Sequence, residues 1–373
     1  MRPLLQTAPV LTQSKKRAPQ PAGRTDVVLR PPATAMAFLA PAQPHENIAV
    51  PGVALAADDV LVAIELSTIC DSDVHTVQGL RPAQTPLILG HESVGRVIAI
   101  GAEGADAADG TPLRIGDRVV WSVTVSCGAC DRCQAGRTQK CRELGRYGYD
   151  RIAAHRELSG GFASHVQLRR GTTIVRVPET LPAATLAPAS CATATAWAAV
   201  ARAANGRDLE GRRVRIFGAG LIGLAATAIA ESQGAVVDVV DSNPERAAQA
   251  ERFGTTTSLL APEIAIEASG SATAQAVDDV AIGGTVVLVG NVARAERVSL
   301  DAESIARRMV TITGLDDYTG AELADAVSFL AGRGRAYPFA ELVGSVHPLA
   351  DLDAALAVAS APNAPLRVGV VSR

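Results

Sequence analysis

The chain has 373 residues, 48% of them hydrophobic, and a net charge of -3. That length suits about two domains with cores of their own. The charge balance gives no reason to expect nucleic acid or an anionic membrane surface as a partner, and no apolar run approaches the ~20 residues that span a bilayer.

Residues 1–33 are rich in Pro, Gln and basic side chains, with no acid before Asp26. A signal peptide needs an unbroken apolar stretch after its basic residues; here Pro3 and Pro9 interrupt it and Lys15-Lys16-Arg17 follow it. An acid-poor transit peptide is the competing reading, and a disordered N-terminal extension over 1–33 is the expectation. Without export the compartment is a reduced cytoplasm, where clustered cysteines are more often metal ligands than disulfides.

From about Ala33 to Leu168 short apolar runs punctuated by Gly, Pro and Asp predict a β-rich unit, with strands at Val60–Ile64, Val94–Ile100 and Arg118–Trp121. From about Ala192 strands alternate with alanine-rich helices: strand 214–217, helix 221–233, strand 236–240, helix 244–253, then strands 264–266 and 285–289. That alternation predicts a parallel, doubly wound sheet of the α/β class. After Gly314 a helix carrying Leu323, Val327 and Leu330 on one face leads to a last strand over 366–371.

All six cysteines fall into two metal-ligand patterns. Cys127, Cys130, Cys133 and Cys141 form a tight Cys-x-x-Cys-x-x-Cys-x7-Cys cluster, the pattern of a closed structural zinc site. A pair of disulfides or a redox dithiol is the alternative. Cys70 and Cys191 lie far apart, with His91 in Gly90-His91-Glu92-Ser93-Val94-Gly95 between them. A Cys/His/Cys set that leaves one position open is a catalytic zinc pattern, although Cys191 alone reads equally as a small buried residue. Gly218-x-Gly220-Leu221-Ile222-Gly223 follows a strand and opens a helix, and Asp241 ends the next strand. In that context the glycines let the backbone approach a pyrophosphate, the helix N-terminus faces its charge, and the acid binds ribose hydroxyls, which points to NAD. Arg246, in the following helix, is the nearest cation.

These stretches, with Gly160-Gly161-Phe162-Ala163 and Cys191-Ala-Thr-Ala-Thr195, resemble the zinc-dependent medium-chain alcohol dehydrogenases over residues 34–373. The resemblance implies a GroES-like catalytic domain over 34–191, completed by 317–373, around a Rossmann NAD-binding domain over 192–316. It implies two zinc ions per chain: catalytic on Cys70, His91 and Cys191, with Glu92 behind or on the metal, and structural on the four-cysteine cluster. Asp73 would orient His91, Thr195 would contact the nicotinamide, and Ser72 and His75 would relay the alcohol's proton. The substrate would be a small alcohol and the assembly a homodimer or homotetramer.

Leu144-Gly-Arg-Tyr-Gly-Tyr149 is similar to a branch associated with phosphonate metabolism and cyclitol oxidation. A polar, polyhydroxylated substrate is therefore expected, met by Tyr147, Tyr149, Asp150, Arg151 and His155. Two departures stand out: Asp71 occupies a place near the pyrophosphate where a carboxylate repels it, and too few residues separate Thr257 from Ile264 for the usual helix. The competing functions are a zinc-using quinone or enone reductase and a catalytically silent nucleotide-binding protein that keeps only the structural zinc.

Overall fold

The computed structural model describes residues 23–256, 258, 260–290 and 297–372. Val60–Ile69, a run of alternately placed aliphatic residues, lies inside an eight-stranded, mainly antiparallel sheet. Its strand path is Val343–Pro348, Arg367–Val371, Val60–Ile69, Glu92–Ile100, Arg118–Val125 and Gly145–Arg146, with His165–Leu168 and Thr172–Arg176 added alongside. The C-terminal strand Arg367–Val371 thus pairs with Val60–Ile69 and returns the chain to its first half.

The disordered extension expected over 1–33 does not hold for residues 25–33. Thr25–Phe38 is one long strand, antiparallel to Glu46–Leu55, and its register shifts between Val28 and Ala33, where Pro31 and Pro32 lack the N–H that the ladder needs. Residues 1–22 lie outside the described residues.

The second unit is a five-stranded parallel sheet in the order Val236–Val240, Arg213–Phe217, Ile264–Glu267, Thr285–Leu288, Thr311–Gly314. A full doubly wound sheet of this type carries six strands in the order 3-2-1-4-5-6; here the third strand and its crossover helix are missing among the described residues. A remnant survives where the Thr256 amide donates to the Val237 carbonyl at 2.6 Å. Charges occupy this end of the sheet: Arg215 in the second strand of the path pairs with Asp238 at 2.8 Å and Asp279 at 3.1 Å.

The helices Ala192–Ala204 and Leu221–Ser232 pack alanine against alanine beside this sheet, with Leu224, Ile229, Val237, Ile266 and Val287 fully or nearly fully buried. Each such aliphatic side chain contributes about 1.5–3 kcal/mol on burial. Among the described residues no helix is long and apolar enough to cross a membrane.

Candidate active site

Three element ends meet between the two units. Cys70 precedes the short helix Asp71–Val77, His91 precedes the strand Glu92–Ile100, and Cys191 precedes the helix Ala192–Ala204. Their ligand atoms, with one oxygen of Glu92, all lie within 4.8 Å of one another. The turn before His91 depends on glycine: Gly90 has φ +88°, and a Cβ there would sit 2.8 Å from the Phe162 backbone nitrogen. The Asp73 carboxylate ties two of these ends together, accepting from the Cys70 amide at 3.0 Å and the Gly90 amide at 3.2 Å. It stands 3.5 Å from His91 Nδ1, a loose contact.

His91 is buried, and its Nε2 has no hydrogen-bond partner. A buried imidazole nitrogen left bare beside two cysteines is costly unless something binds it, and a metal is the group that this donor set fits. The Cys70 thiol is pulled well below its ordinary range by a hydrogen bond from Cys191, against its burial, and by Arg367 and His91. This favours the thiolate that zinc requires.

Glu92 stands beside this cluster with its carboxylate already engaged. Its carboxylate, fully buried, accepts from Arg367 Nε at 2.7 Å and Nη2 at 2.8 Å, and from Thr68 Oγ1 at 2.6 Å. Arg367 also reaches Cys70 Sγ at 3.7 Å. Sequence reading overlooked Arg367, because nothing local marks an arginine at the head of a C-terminal strand as buried beside a metal site.

The other four cysteines form a second cluster, again with all four sulfurs within 4.8 Å. Cys130 Sγ lies 3.5 Å from Cys133 Sγ and 4.0 Å from Cys141 Sγ. Those spacings bracket the roughly 3.8 Å that separates sulfurs at the corners of a tetrahedron with Zn–S near 2.3 Å. They are far too long for disulfide bonds, and all six cysteines are free. Backbone amides turn inward to the sulfurs: the Cys127 and Glu143 amides donate to Cys141 Sγ, and the Cys130 amide to Cys127 Sγ. Amides of Arg142 and Cys133 draw the Cys130 thiol down to about 6. Replacing Cys130 with serine is expected to release one zinc per chain and to lower soluble yield and melting temperature, because metal bound at a closed site contributes directly to folding; metal analysis beside a thermal melt checks it.

A cleft of about 380 Å³ runs from Cys70 and Cys191 past Thr195 to Gly218, Gly220, Asp241 and Arg246. Gly223 does not line it. A Cβ on Gly223 would lie 1.8 Å from the Gly218 carbonyl oxygen, so this glycine permits the turn to close against the helix. Asp241 is fixed by the Ala219 and Asn243 amides, each donating to one carboxylate oxygen at 2.7 Å. The Asn243 side chain in turn caps the helix that carries Arg246.

Residues 56–179 match the alcohol dehydrogenase GroES-like domain, and residues 187–321 the alanine dehydrogenase/PNT C-terminal domain. An L-threonine 3-dehydrogenase of Chelativorans sp. is 31% identical over 283 residues, covering 68% of this chain and 76% of that protein. The chain belongs to the zinc-dependent medium-chain alcohol dehydrogenase family. A zinc-type alcohol dehydrogenase-like protein of Haemophilus influenzae is 32% identical over 57% of this chain. The match spans 63% of that protein's length and 57% of that of an L-threonine 3-dehydrogenase from Edwardsiella ictaluri, under two thirds in both cases. The crystal structure of an alcohol dehydrogenase from Thermotoga maritima superposes with a TM-score of 0.83 at 26% identity, covering 91% of this chain and 99% of that one.

Within this member of the alcohol dehydrogenase family the remaining expected site residues separate. Ser72 lines the cleft, and its Oγ is 3.0 Å from the Tyr149 hydroxyl. His75, three residues on in the same helix, does not line the cleft, and its Nδ1 is buried without a partner. Leu221 and Ile222 line the coenzyme end, as does Asp71 the centre.

The polar loop does not act as one surface. Tyr147 is a core residue whose hydroxyl meets Thr172 Oγ1 and the Arg169 amide, both at 2.7 Å. Asp150 pairs with Arg169, and Asp150 and His155 line a separate hollow; Arg151 is exposed. Only Tyr149 of the five reaches the cleft, because Gly148 turns the chain at φ +79° between the two tyrosines. The Tyr149 ring lies 5.1 Å from that of His91, and burial pushes its phenol up to about 12.

Proposed function

We propose that this chain is a zinc-dependent, NAD-linked dehydrogenase of a polar alcohol. The observation that carries the reading is the bare Nε2 of His91 between Cys70 and Cys191, at the head of the same cleft whose far end holds the glycine turn and Asp241. Bound there, zinc would supply a Lewis acid for the alcohol oxygen and NAD an acceptor for the hydride. The residues of the chain do the rest. Cys70, His91 and Cys191 hold the metal, and Asp73 fixes the two segments that carry the first two. Ser72 would take the hydroxyl proton and pass it on, either to the Tyr149 hydroxyl beside it or towards His75 further along the same helix. Thr195, which lines the cleft with Cys191, would contact the nicotinamide. In balance, the alcohol loses one hydride to NAD and one proton to solvent and becomes a carbonyl.

Relatives named L-threonine 3-dehydrogenase and L-galactonate-5-dehydrogenase support a polar secondary alcohol rather than an apolar one. A polyol or cyclitol is the finer reading, now resting on Tyr149 rather than on the whole loop. Assaying NADH production over a panel of polyols, cyclitols and hydroxy acids tests it, and no oxidation of any member by metal-loaded protein would reject it.

Coenzyme choice rests on Asp241. Its carboxylate is held rigidly at the strand end, where it can accept from both adenosine ribose hydroxyls. A 2′-phosphate there would set like charges together. Arg246 offsets part of that from the neighbouring helix. NAD is therefore expected to exceed NADP in catalytic efficiency by on the order of tenfold, equivalent to about 1.4 kcal/mol, and Asp241→Ser to narrow or invert the preference. Initial rates with both coenzymes decide it, and an NADP-preferring wild type would mean that Arg246 dominates.

A further inference from the structure

We infer that the alcohol substrate carries an anionic group, a carboxylate or phosphate-like group close to the reacting carbon, and that Arg81 binds it; the inference rests on the dehydrogenase reading above. Arg81 follows the short helix that bears Ser72 and lines the cleft. Its guanidinium carbon stands 4.5 Å from the centroid of the Tyr149 ring, and Nη1 donates to the Tyr149 hydroxyl at 3.4 Å. That ring packs on His91, and its hydroxyl meets Ser72 Oγ. The guanidinium is thus one aromatic ring removed from the metal ligand and from the hydroxyl that would receive the alcohol's proton.

The other arginines at this end of the cleft are neutralised. Arg367 is paired with Glu92 at 2.7 Å and Arg146 with Asp317 at 2.7 Å. Arg81 has no carboxylate partner among the described residues. A guanidinium stacked on an aromatic ring is held in one plane, with the rest of its donor fork left to meet a carboxylate or phosphate in bidentate fashion. Fixing it in advance removes the entropy that a free side chain would lose on binding. Arg146 also approaches this ring, its Cζ 5.9 Å from the centroid, but its charge is taken up by Asp317. Asp71, Asp316 and Asp317 also line the cleft, but Asp316 is paired with Lys140 and Asp317 with Arg146, and Asp71 acts on Arg367.

An anion at Arg81 has two possible owners, the substrate or the coenzyme pyrophosphate. The geometry favours the substrate, since the glycine turn and the N-terminus of Leu221–Ser232 lie at the far end of the cleft and already suit the pyrophosphate.

The test compares matched pairs that differ only in charge, gluconate against sorbitol and a sugar-alcohol phosphate against its parent, with wild type, Arg81→Gln and Arg81→Lys. The expected result is a kcat/KM at least tenfold higher for the anionic member with wild type. Arg81→Gln should remove that preference through KM, and Arg81→Lys should keep part of it. A wild type that favours the neutral members overturns the inference. So does an Arg81→Gln variant whose KM for NAD rises as much as its KM for the anion, which would give the guanidinium to the coenzyme. Calorimetric titration of gluconate and sorbitol reads the same preference without turnover. Gluconate binding that is lost in Arg81→Gln, with no oxidation of any alcohol, would sustain the anion site and reject the dehydrogenase reading; equal binding of the two would reject the anion site.

Discussion

Replacing His91 with alanine is expected to abolish turnover, to lower the zinc content from about two ions per chain to about one, and to leave the fold standing. The physical reason lies in the separation of the two clusters. Among the described residues His91 supplies the one nitrogen donor beside Cys70 and Cys191, and its Nε2 has no other partner. Removing it leaves two thiols and a carboxylate that already belongs to Arg367. A Lewis acid is worth several kcal/mol of charge stabilisation at the reacting oxygen, so the loss in rate should exceed about a thousandfold. The four-cysteine site shares no ligand with it and should keep its metal. The melting temperature should fall by only a few degrees, since the change leaves a small cavity beneath the Tyr149 ring. Metal analysis, steady-state rates and a thermal melt on one preparation check all three. Activity that survived the substitution would remove the catalytic assignment of this cluster.

How much of this was legible beforehand depended on whether the determining contacts were local. The glycine fingerprint, the strand runs at 60–64 and 236–240 and the cysteine spacings are local patterns, and each stands in the structure close to where it was expected, the strand from Val60 running on to Ile69. The first strand was not legible, because Arg30-Pro31-Pro32 reads as a breaker and only pairing with Glu46–Leu55 accommodates it through a shift in register. Tyr147 and Tyr149 were inseparable in sequence. A single glycine turn sends one into the core and the other into the cleft. Arg81 gave no signal, since an arginine after a helix is ordinarily a solvated residue. The want of a helix before Ile264 was visible as a shortage of residues, but the absence of a strand with it among the described residues and the charges of Arg215, Asp238 and Asp279 were not.

The pairing hardest to foresee joins residues 275 positions apart and sets the second large effect. Arg367→Met should destabilise the protein by about 3–5 kcal/mol, because removing one partner of a buried ion pair strands the other charge. Glu92 would then keep only the Thr68 hydroxyl, in a site with no solvent access and with the Cys70 sulfur nearby. On the usual relation between stability and melting temperature for a domain of this size, that is a fall of roughly ten degrees. Methionine fills much of the volume of the arginine stem, so the loss reports charge rather than a cavity. The double variant Glu92→Gln/Arg367→Met tests this directly. It removes both charges, leaves an amide that Thr68 can still bond, and should recover most of the lost stability; a buried pair replaced as a unit by neutral groups is often close to neutral in free energy. Melts are to be run with zinc in constant excess, so that differences in metal occupancy do not enter the comparison. If Arg367→Met melts with the wild type, or if the double variant is no more stable than the single one, Arg367 is not what stabilises the buried Glu92 carboxylate beside the cysteine–histidine cluster, and the pair has no part in shaping the site.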